Sequence, residues 1–291
     1  MEEHMDKRKL GKSGLSVSVI TFGGITLDGY EAKKAGELVS FAVDNDVNYF
    51  DSAPTYGNSQ YVLGPALMPY RKDVFLACKT GKRSAEESKA ELLESLSAHK
   101  TDYFDLYQMH GVNIDEIPQI FGPGGAMETF DWALKEGLTK HIGFTTHFDD
   151  AAMEMLKHDC FETMLFPINY AYREIKNSGI APLEKCLEND VGVIAIKALA
   201  ERKWREGEEV TYPRCWYRPF YDNPRFARYA LNYTLSRPGV TTAVTPGDER
   251  MFRMAVEIMK KQNGAVVEPT AEECGFLKEY AAGLSAEDII F

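Results

Sequence analysis

Four residues, Asp51, Tyr56, Lys79 and His110, are of the types that could move a proton together. Asp51 closes the run VNYF, and Tyr56 follows five residues later in a loop punctuated by Pro54 and Gly57. Lys79 closes DVFLACK and His110 closes YFDLYQMH. Such groups at the ends of apolar runs are costly unless partnered. A phenol titrates near pH 10 and is a poor acid at neutrality. A neighbouring ammonium favours phenolate, so Lys79 is expected to lower the Tyr56 pKa toward the working range. Asp51 would keep Lys79 charged and fixed in direction. Tyr56 could then protonate a carbonyl oxygen as hydride reaches its carbon, with His110 donating a hydrogen bond that orients the substrate. No side chain supplies hydride, so this chemistry requires a cofactor.

Taken singly, each residue has a plainer reading: a turn aspartate, a surface tyrosine, a solvated strand end, a core histidine. Their order on successive strands is what points to function. Lys79 also admits a Schiff-base lyase, which needs a neutral amine, and a flanking Asp51 works against that. A non-catalytic nucleotide sensor built on the same fold is a third reading. No metal is expected: His141, His147 and His158 form no H-E-x-x-H pattern, and HFDD (147–150) reads as a helix cap.

The elements that must position these residues are legible as alternation. Strand-length runs (SVITFGG, VNYFD, DVFLACK, YFDLYQMH, HIGFTT, MLFPINY, VGVIAIK, TTAVTPG) alternate with amphipathic stretches such as EAKKAGELVSFAVDND and GAMETFDWALKEG. In SAEESKAELLESLSAH, Ser84 and Glu87 form the S-x-x-E pattern of a capping box. Asp51, Lys79, His110 and Thr145 recur at intervals of roughly 30 residues, the pitch of a (β/α)8 TIM barrel. A doubly wound sheet would advertise G-x-G-x-x-G after its first strand, and none is present. Residues 8–17 read as an N-terminal β-hairpin capping one end of the barrel. Residues 201–224, rich in aromatics, read as a long loop at the C-terminal mouth. With no linker in evidence, residues 1–291 are expected to form a single domain. The tail, 263–291, is expected to pack against the barrel rather than line the substrate pocket.

With 44% hydrophobic residues the chain can bury a large core, yet no run approaches the roughly 18 apolar residues of a membrane span. The segment MEEHMDKRKL lacks the apolar region of a secretory signal, which leads to an expected cytoplasmic location. A net charge of −11 without a basic run disfavours nucleic acid and membrane as partners. The five cysteines form no C-x-x-C, which suits a reducing compartment. A monomer is the default expectation.

The chain resembles the aldo-keto reductase family over nearly its whole length, from LGKSGLSVSVITFGG through VNYFDSAPTYGNSQYVLGPAL and SLSAHKTDYFDLYQMHGV to LNYTLSRPGVTTAVTPG. The family pattern of Asp, Tyr-Gly, strand-ending Lys and D-x-x-x-x-H falls on Asp51, Tyr56, Lys79 and His110. The resemblance implies an NADPH-dependent carbonyl reductase acting on a small aldehyde or ketone, with NADH as the alternative donor. It implies cofactor contacts at Gly23, Gly24, Ile25 and Asp51, where backbone must approach the nucleotide. Thr145, Thr146 and Asn169 stand where carboxamide ligands occur, and Ile196, Lys197, Ala198 and Leu199 where the diphosphate is met. Thr245, Gly247, Arg253 and Glu257 follow the last strand, with Arg253 or Arg250 as the cation for a 2′-phosphate. Trp204, Tyr212, Trp216, Tyr217 and Phe220 either wall a pocket for an apolar or planar substrate or pin the long loop down, and Arg202, Arg205, Arg214 and Arg218 are the alternative, offering charge to an anionic substrate.

Overall fold

The computed structural model of the protein describes residues 4–289. The expected domain of residues 1–291 therefore extends at both ends beyond the described residues. The chain opens with a two-stranded antiparallel hairpin, β1 (Lys7–Lys9) and β2 (Ser16–Ser18). Seven strands follow: β3 (Ile20–Gly23), β4 (Tyr49–Asp51), β5 (Phe75–Thr80), β6 (Phe104–Met109), β7 (Thr139–Thr145), β8 (Thr163–Pro167) and β9 (Gly192–Ile196). A short antiparallel ribbon, β10 (Ala200–Arg202) and β11 (Arg218–Pro219), precedes the last strand, β12 (Val240–Val244). Strands β3 to β9 and β12 close into one all-parallel barrel in which β12 pairs with both β9 and β3. All eight strand segments read from the sequence take part.

Helices cover the outside, and their caps explain where several begin. The Ser84 hydroxyl accepts from the Glu87 amide, starting Ala85–His99. The reciprocal half of the box differs from expectation, because the Glu87 carboxylate takes the Ser84 hydroxyl at 2.7 Å. Asn223 and Asp248 cap the helices Pro224–Leu235 and Glu249–Lys260 through side-chain oxygens. In HFDD the cap residue itself makes no side-chain bond, though Asp150 accepts from the Ala151 amide in the first turn. Phe148 occupies the cap, Asp149 accepts from Gly179 and Ser178 across the loop, and His147 lines the barrel mouth. Among the described residues no helix is long and apolar enough to cross a membrane.

Two apolar layers result. The larger lies between barrel and helices, and the smaller fills the barrel, with Tyr49, Ala77, Leu106 and Ile194 stacked above Leu10, Leu15 and Val17 of the hairpin. The hairpin thus plugs the amino-terminal end, as the sequence suggested. Lys12 donates its amide to the Asp190 carbonyl at 2.6 Å, and Arg8 binds the carbonyls of Leu235 and Val240. Gly11 makes the seal possible. Its φ is +51°, and a Cβ there would lie 2.1 Å from the Gly192 nitrogen.

At the opposite end, the aromatic insertion is ordered by its own contacts. Trp204 donates to the Cys215 carbonyl at 3.1 Å and stacks on Tyr212. The buried Glu201 receives Arg218 and the Tyr280 hydroxyl, while Arg205 binds Asp288 at 3.0 Å. Tyr280 belongs to the helix Ala271–Ala282, so the tail packs as expected and also clasps the insertion. We predict that Gly11→Ala, which must lift the hairpin from the barrel floor, lowers unfolding free energy by about 1–3 kcal/mol. Urea unfolding followed by tryptophan fluorescence measures it; an unchanged midpoint would refute the seal.

Candidate active site

The pairing register explains why the four polar residues meet. Asp51 pairs with Ala77 of β5, so Lys79, two residues further on, shares the Asp51 face of the sheet. The Lys79 ammonium donates to Asp51 Oδ2 at 2.5 Å and to the Ser52 carbonyl at 2.9 Å. Both side chains are almost fully buried, at 1% and 2% exposure. Tyr56 returns over the pair, its hydroxyl 3.4 Å from the ammonium. The His110 ring stands edge-on to Tyr56, with centroids 6.3 Å apart. The tetrad is therefore one cluster.

The electrostatics correct one expectation. Burial of the Tyr56 hydroxyl raises its pKa, and Lys79 offsets this only in part, so the phenol lies above its ordinary value rather than below it. It is a protonated donor throughout the neutral range. Burial alone would depress Lys79, but Asp51 and Tyr56 more than offset it and hold the amine protonated. His110 is pushed down to about 3 by burial and by Lys79, His147 and Arg83, which leaves a neutral imidazole.

Supporting residues complete the cluster. Gln108, paired with Lys79 in β6, donates to Asp51 Oδ1 at 3.4 Å. Arg83 binds the His110 carbonyl at 2.8 Å and Glu116 at 3.0 Å, fixing the segment that carries the imidazole. The Thr145 hydroxyl accepts from the Gly111 amide, and the Thr146 hydroxyl donates to the Val112 carbonyl. Gln108, Arg83 and His147 were not singled out by sequence reasoning as site residues. A glutamine inside the apolar run DLYQM was the available signal for the first.

A cavity of about 500 Å³ opens above the tetrad at the carboxyl ends of the strands. Of the expected cofactor residues, Gly23, Ile25, Asp51 and Thr145 line it, as do Ile196, Lys197 and Thr245. Gly24, Thr146, Asn169, Ala198, Leu199, Gly247, Arg253 and Glu257 lie outside its lining. The reasons are local. A Cβ on Gly23 would stand 2.2 Å from the Thr245 carbonyl oxygen and one on Gly24 2.7 Å from that of Asp51, so both glycines serve close backbone packing. Asn169 donates to the carbonyls of Lys197 and Ala200 and accepts from the Ala171 amide, bracing the turn that holds Ala198 and Leu199. The Gly247 carbonyl receives Arg214. Arg250 is gripped by both oxygens of Asp248, whereas Arg253 and Glu257 are exposed on their helix, Arg253 over Phe41.

The insertion supplies the remaining wall, including Cys215, Trp216, Tyr217 and Lys203. Trp204, Tyr212 and Phe220 instead hold the insertion together from behind. The four arginines expected to attract an anion are engaged elsewhere: Arg202 with Glu208, Arg205 with Asp288, Arg214 with two carbonyls, and Arg218 with Glu201 and Asp222.

An all-parallel eight-stranded barrel with an acid–base cluster at the carboxyl ends of its strands defines the class: a (β/α)8 protein built like an enzyme. The Aldo/keto reductase family model matches residues 19–236, and the chain belongs to that family. It is similar to the uncharacterized oxidoreductase YqkF of Bacillus subtilis, 33% identical over 53% of this chain and 53% of that protein. It is also similar to L-galactose dehydrogenase of Arabidopsis thaliana, 28% identical over 67% of this chain and 66% of the other. The chain thus spans about half the length of the first relative and about two thirds of the second. Among solved structures, the holo form of the aldo-keto reductase AKR11C1 from Bacillus halodurans superposes with a TM-score of 0.72, 25% identity and 98% coverage of each chain.

Two stability predictions follow from the burial of charge. Lys79→Met leaves Asp51 uncompensated and is expected to cost about 3–5 kcal/mol, whereas Asp51→Asn combined with Lys79→Met costs less than the single change. Chemical denaturation of the three proteins tests this, and equal losses would refute the pair. His99, His110 and His147 are held neutral by burial at about 4, 3 and 4, below their ordinary 6.5. The unfolded chain therefore binds more protons below pH 6.5, and stability falls with falling pH by about 1 kcal/mol per pH unit for each histidine. Denaturation midpoints between pH 7 and 4 measure the slope.

Proposed function

We propose that the protein reduces the carbonyl of an aldehyde or ketone to an alcohol, using a reduced nicotinamide nucleotide. The single observation that carries this reading is the buried Asp51–Lys79–Tyr56 cluster beside a neutral His110, at the base of the cavity. The cavity suits the nucleotide: Thr145 offers a hydroxyl for an amide, and Lys197 offers a cation for phosphate. When bound, the nucleotide supplies hydride. The protein's own residues manage the proton. Tyr56, protonated in the neutral range, donates to the oxygen that gains negative charge as its carbon is reduced. Lys79, kept cationic by Asp51, then stabilises the tyrosinate that forms. Neutral His110 donates one hydrogen bond to the same oxygen and fixes its direction.

NADPH is the proposed donor and NADH the alternative; with Arg250 held by Asp248, the exposed Arg253 is the candidate cation for a 2′-phosphate. The Schiff-base alternative at Lys79 is disfavoured, because an amine held protonated by a buried carboxylate is a poor nucleophile. Tyr56→Phe is expected to lower kcat for aldehyde reduction by about 10²–10⁴. NADPH affinity, measured by fluorescence quenching, should stay within about twofold of wild type. Carbonyl-dependent NADPH oxidation is the assay, and undiminished turnover by the variant would sink the assignment.

A further inference from the structure

The Lys79 ammonium has three hydrogens, and each has a partner. One goes to Asp51 Oδ2 at 2.5 Å, one to the Ser52 carbonyl at 2.9 Å, and the third to the Tyr56 hydroxyl at 3.4 Å. A tetrahedral ammonium keeps fixed angles between its hydrogens, so the two shorter bonds set the direction of the third. Asp51 is held by strand register and by Gln108. The Ser52 carbonyl lies one residue past β4 and needs a support of its own.

That support comes from His99. The Ser52 amide donates to the Ala77 carbonyl at 2.9 Å, and the buried Ser52 hydroxyl lies 3.0 Å from His99 Nε2. His99 is the last residue of the helix Ala85–His99 and is itself buried. Its Nδ1 lies 2.8 Å from the Ser95 carbonyl, which can only accept, so Nδ1 carries the hydrogen. Burial pushes the imidazole down to about 4, so the ring is neutral and Nε2 is a bare acceptor. The Ser52 hydroxyl therefore donates to it. The ring is wedged in place, edge-on to Phe104 of β6 with centroids 5.3 Å apart. Behind it, a Cβ on Gly64 would lie 2.2 Å from the His99 Cα, and Gly64 belongs to the helix Ser59–Leu67 that follows the Tyr56 loop.

We propose that His99 is a positioning residue for the reaction: through the Ser52 hydroxyl it holds the Ser52 carbonyl on the Lys79 ammonium and so aims the remaining hydrogen at Tyr56. The proposal rests on the reductase reading above and deepens it. A histidine and a serine that only satisfied each other would stabilise the fold and nothing more. This pair also reaches the reacting group, because the Ser52 carbonyl is a ligand of Lys79. As Tyr56 gives up its proton, its oxygen gains negative charge, and an ammonium hydrogen turned away would leave that charge poorly stabilised. His99 is not among the residues that line the cavity, so binding of nucleotide and aldehyde is left intact.

His99→Leu and Ser52→Ala each remove the hydrogen bond between the two residues from one side, whereas His99→Gln offers an amide oxygen to the Ser52 hydroxyl. With NADPH and 4-nitrobenzaldehyde, each of the first two is expected to lower kcat about 10–100-fold with KM within about twofold of wild type. The solvent deuterium isotope effect on kcat should grow, because proton donation becomes slower. The double variant should lose no more than either single change, since the two residues act as one unit. His99→Gln should recover most of kcat. The nitrogen NMR signal of the Lys79 ammonium, assigned by its loss in Lys79→Met, reads the same link without turnover. Its hydrogens should exchange slowly in wild type and His99→Gln, and fast in His99→Leu and Ser52→Ala. Unchanged kcat with unchanged Lys79 exchange in Ser52→Ala would overturn the proposal, as would additive losses in the double variant. Altered Lys79 exchange in a protein that reduces no aldehyde or ketone would uphold the link from His99 to Lys79 and overturn the reductase reading.

Discussion

The ion pair between Asp51 and Lys79 is the constraint on which the rest of the site depends. Two opposite charges, each nearly without solvent, are tolerable only when geometry and additional hydrogen bonds are both satisfied. The barrel provides them. Neighbouring parallel strands bring the carboxylate and the ammonium onto one face, the Ser52 carbonyl takes a second ammonium hydrogen, and Gln108 supports the other carboxylate oxygen. Tyr56 gains its chemical meaning from this pair. A phenol in the same loop without a buried cation would be a protonated side chain with nothing to stabilise its conjugate base.

Much of this was legible in the chain itself, because barrel strands are covered on both sides and stand out as apolar runs ending in polar residues. The eight strands, the hairpin and the convergence of Asp51, Tyr56, Lys79 and His110 all follow from that pattern. The direction of the Tyr56 shift did not. Residue types show that a cation is near, but the balance between its field and the loss of solvent depends on how deeply the hydroxyl is enclosed. Loop and strand-end residues were harder still. Arg202, Arg205, Arg214 and Arg218 look alike in sequence, and only the placement of Glu208, Asp288, Glu201 and the carbonyls shows that all four hold the insertion in shape. Lys197 and Lys203, less conspicuous among those arginines, line the cavity together with Lys79. Asn169 and Thr146 likewise have the hydrogen-bonding capacity of ligands and use it on backbone.

The division of labour along the barrel axis follows from these contacts. The amino-terminal end is closed by Gly11, Leu10 and Arg8, which make only packing and backbone contacts. The carboxyl-terminal end carries charge, hydroxyls and aromatic faces. Between them, the Tyr49 and Leu106 layer isolates the ion pair from the plug. Substitutions in the insertion can therefore reshape the wall around Trp216 without disturbing the Asp51–Lys79 geometry, which is fixed by strand register and by hydrogen bonds from the barrel strands.

The clasp between the insertion and the tail has a consequence for how the molecule is assembled on the ribosome. Asp51, Tyr56, Lys79 and His110 are all made by position 110, but barrel closure waits for Val240–Val244 and the clasp waits for Tyr280 and Asp288. The cavity wall formed by the insertion is thus the last part to be held in place. A nascent chain would carry all four residues of the cluster long before the barrel that brings them together could close.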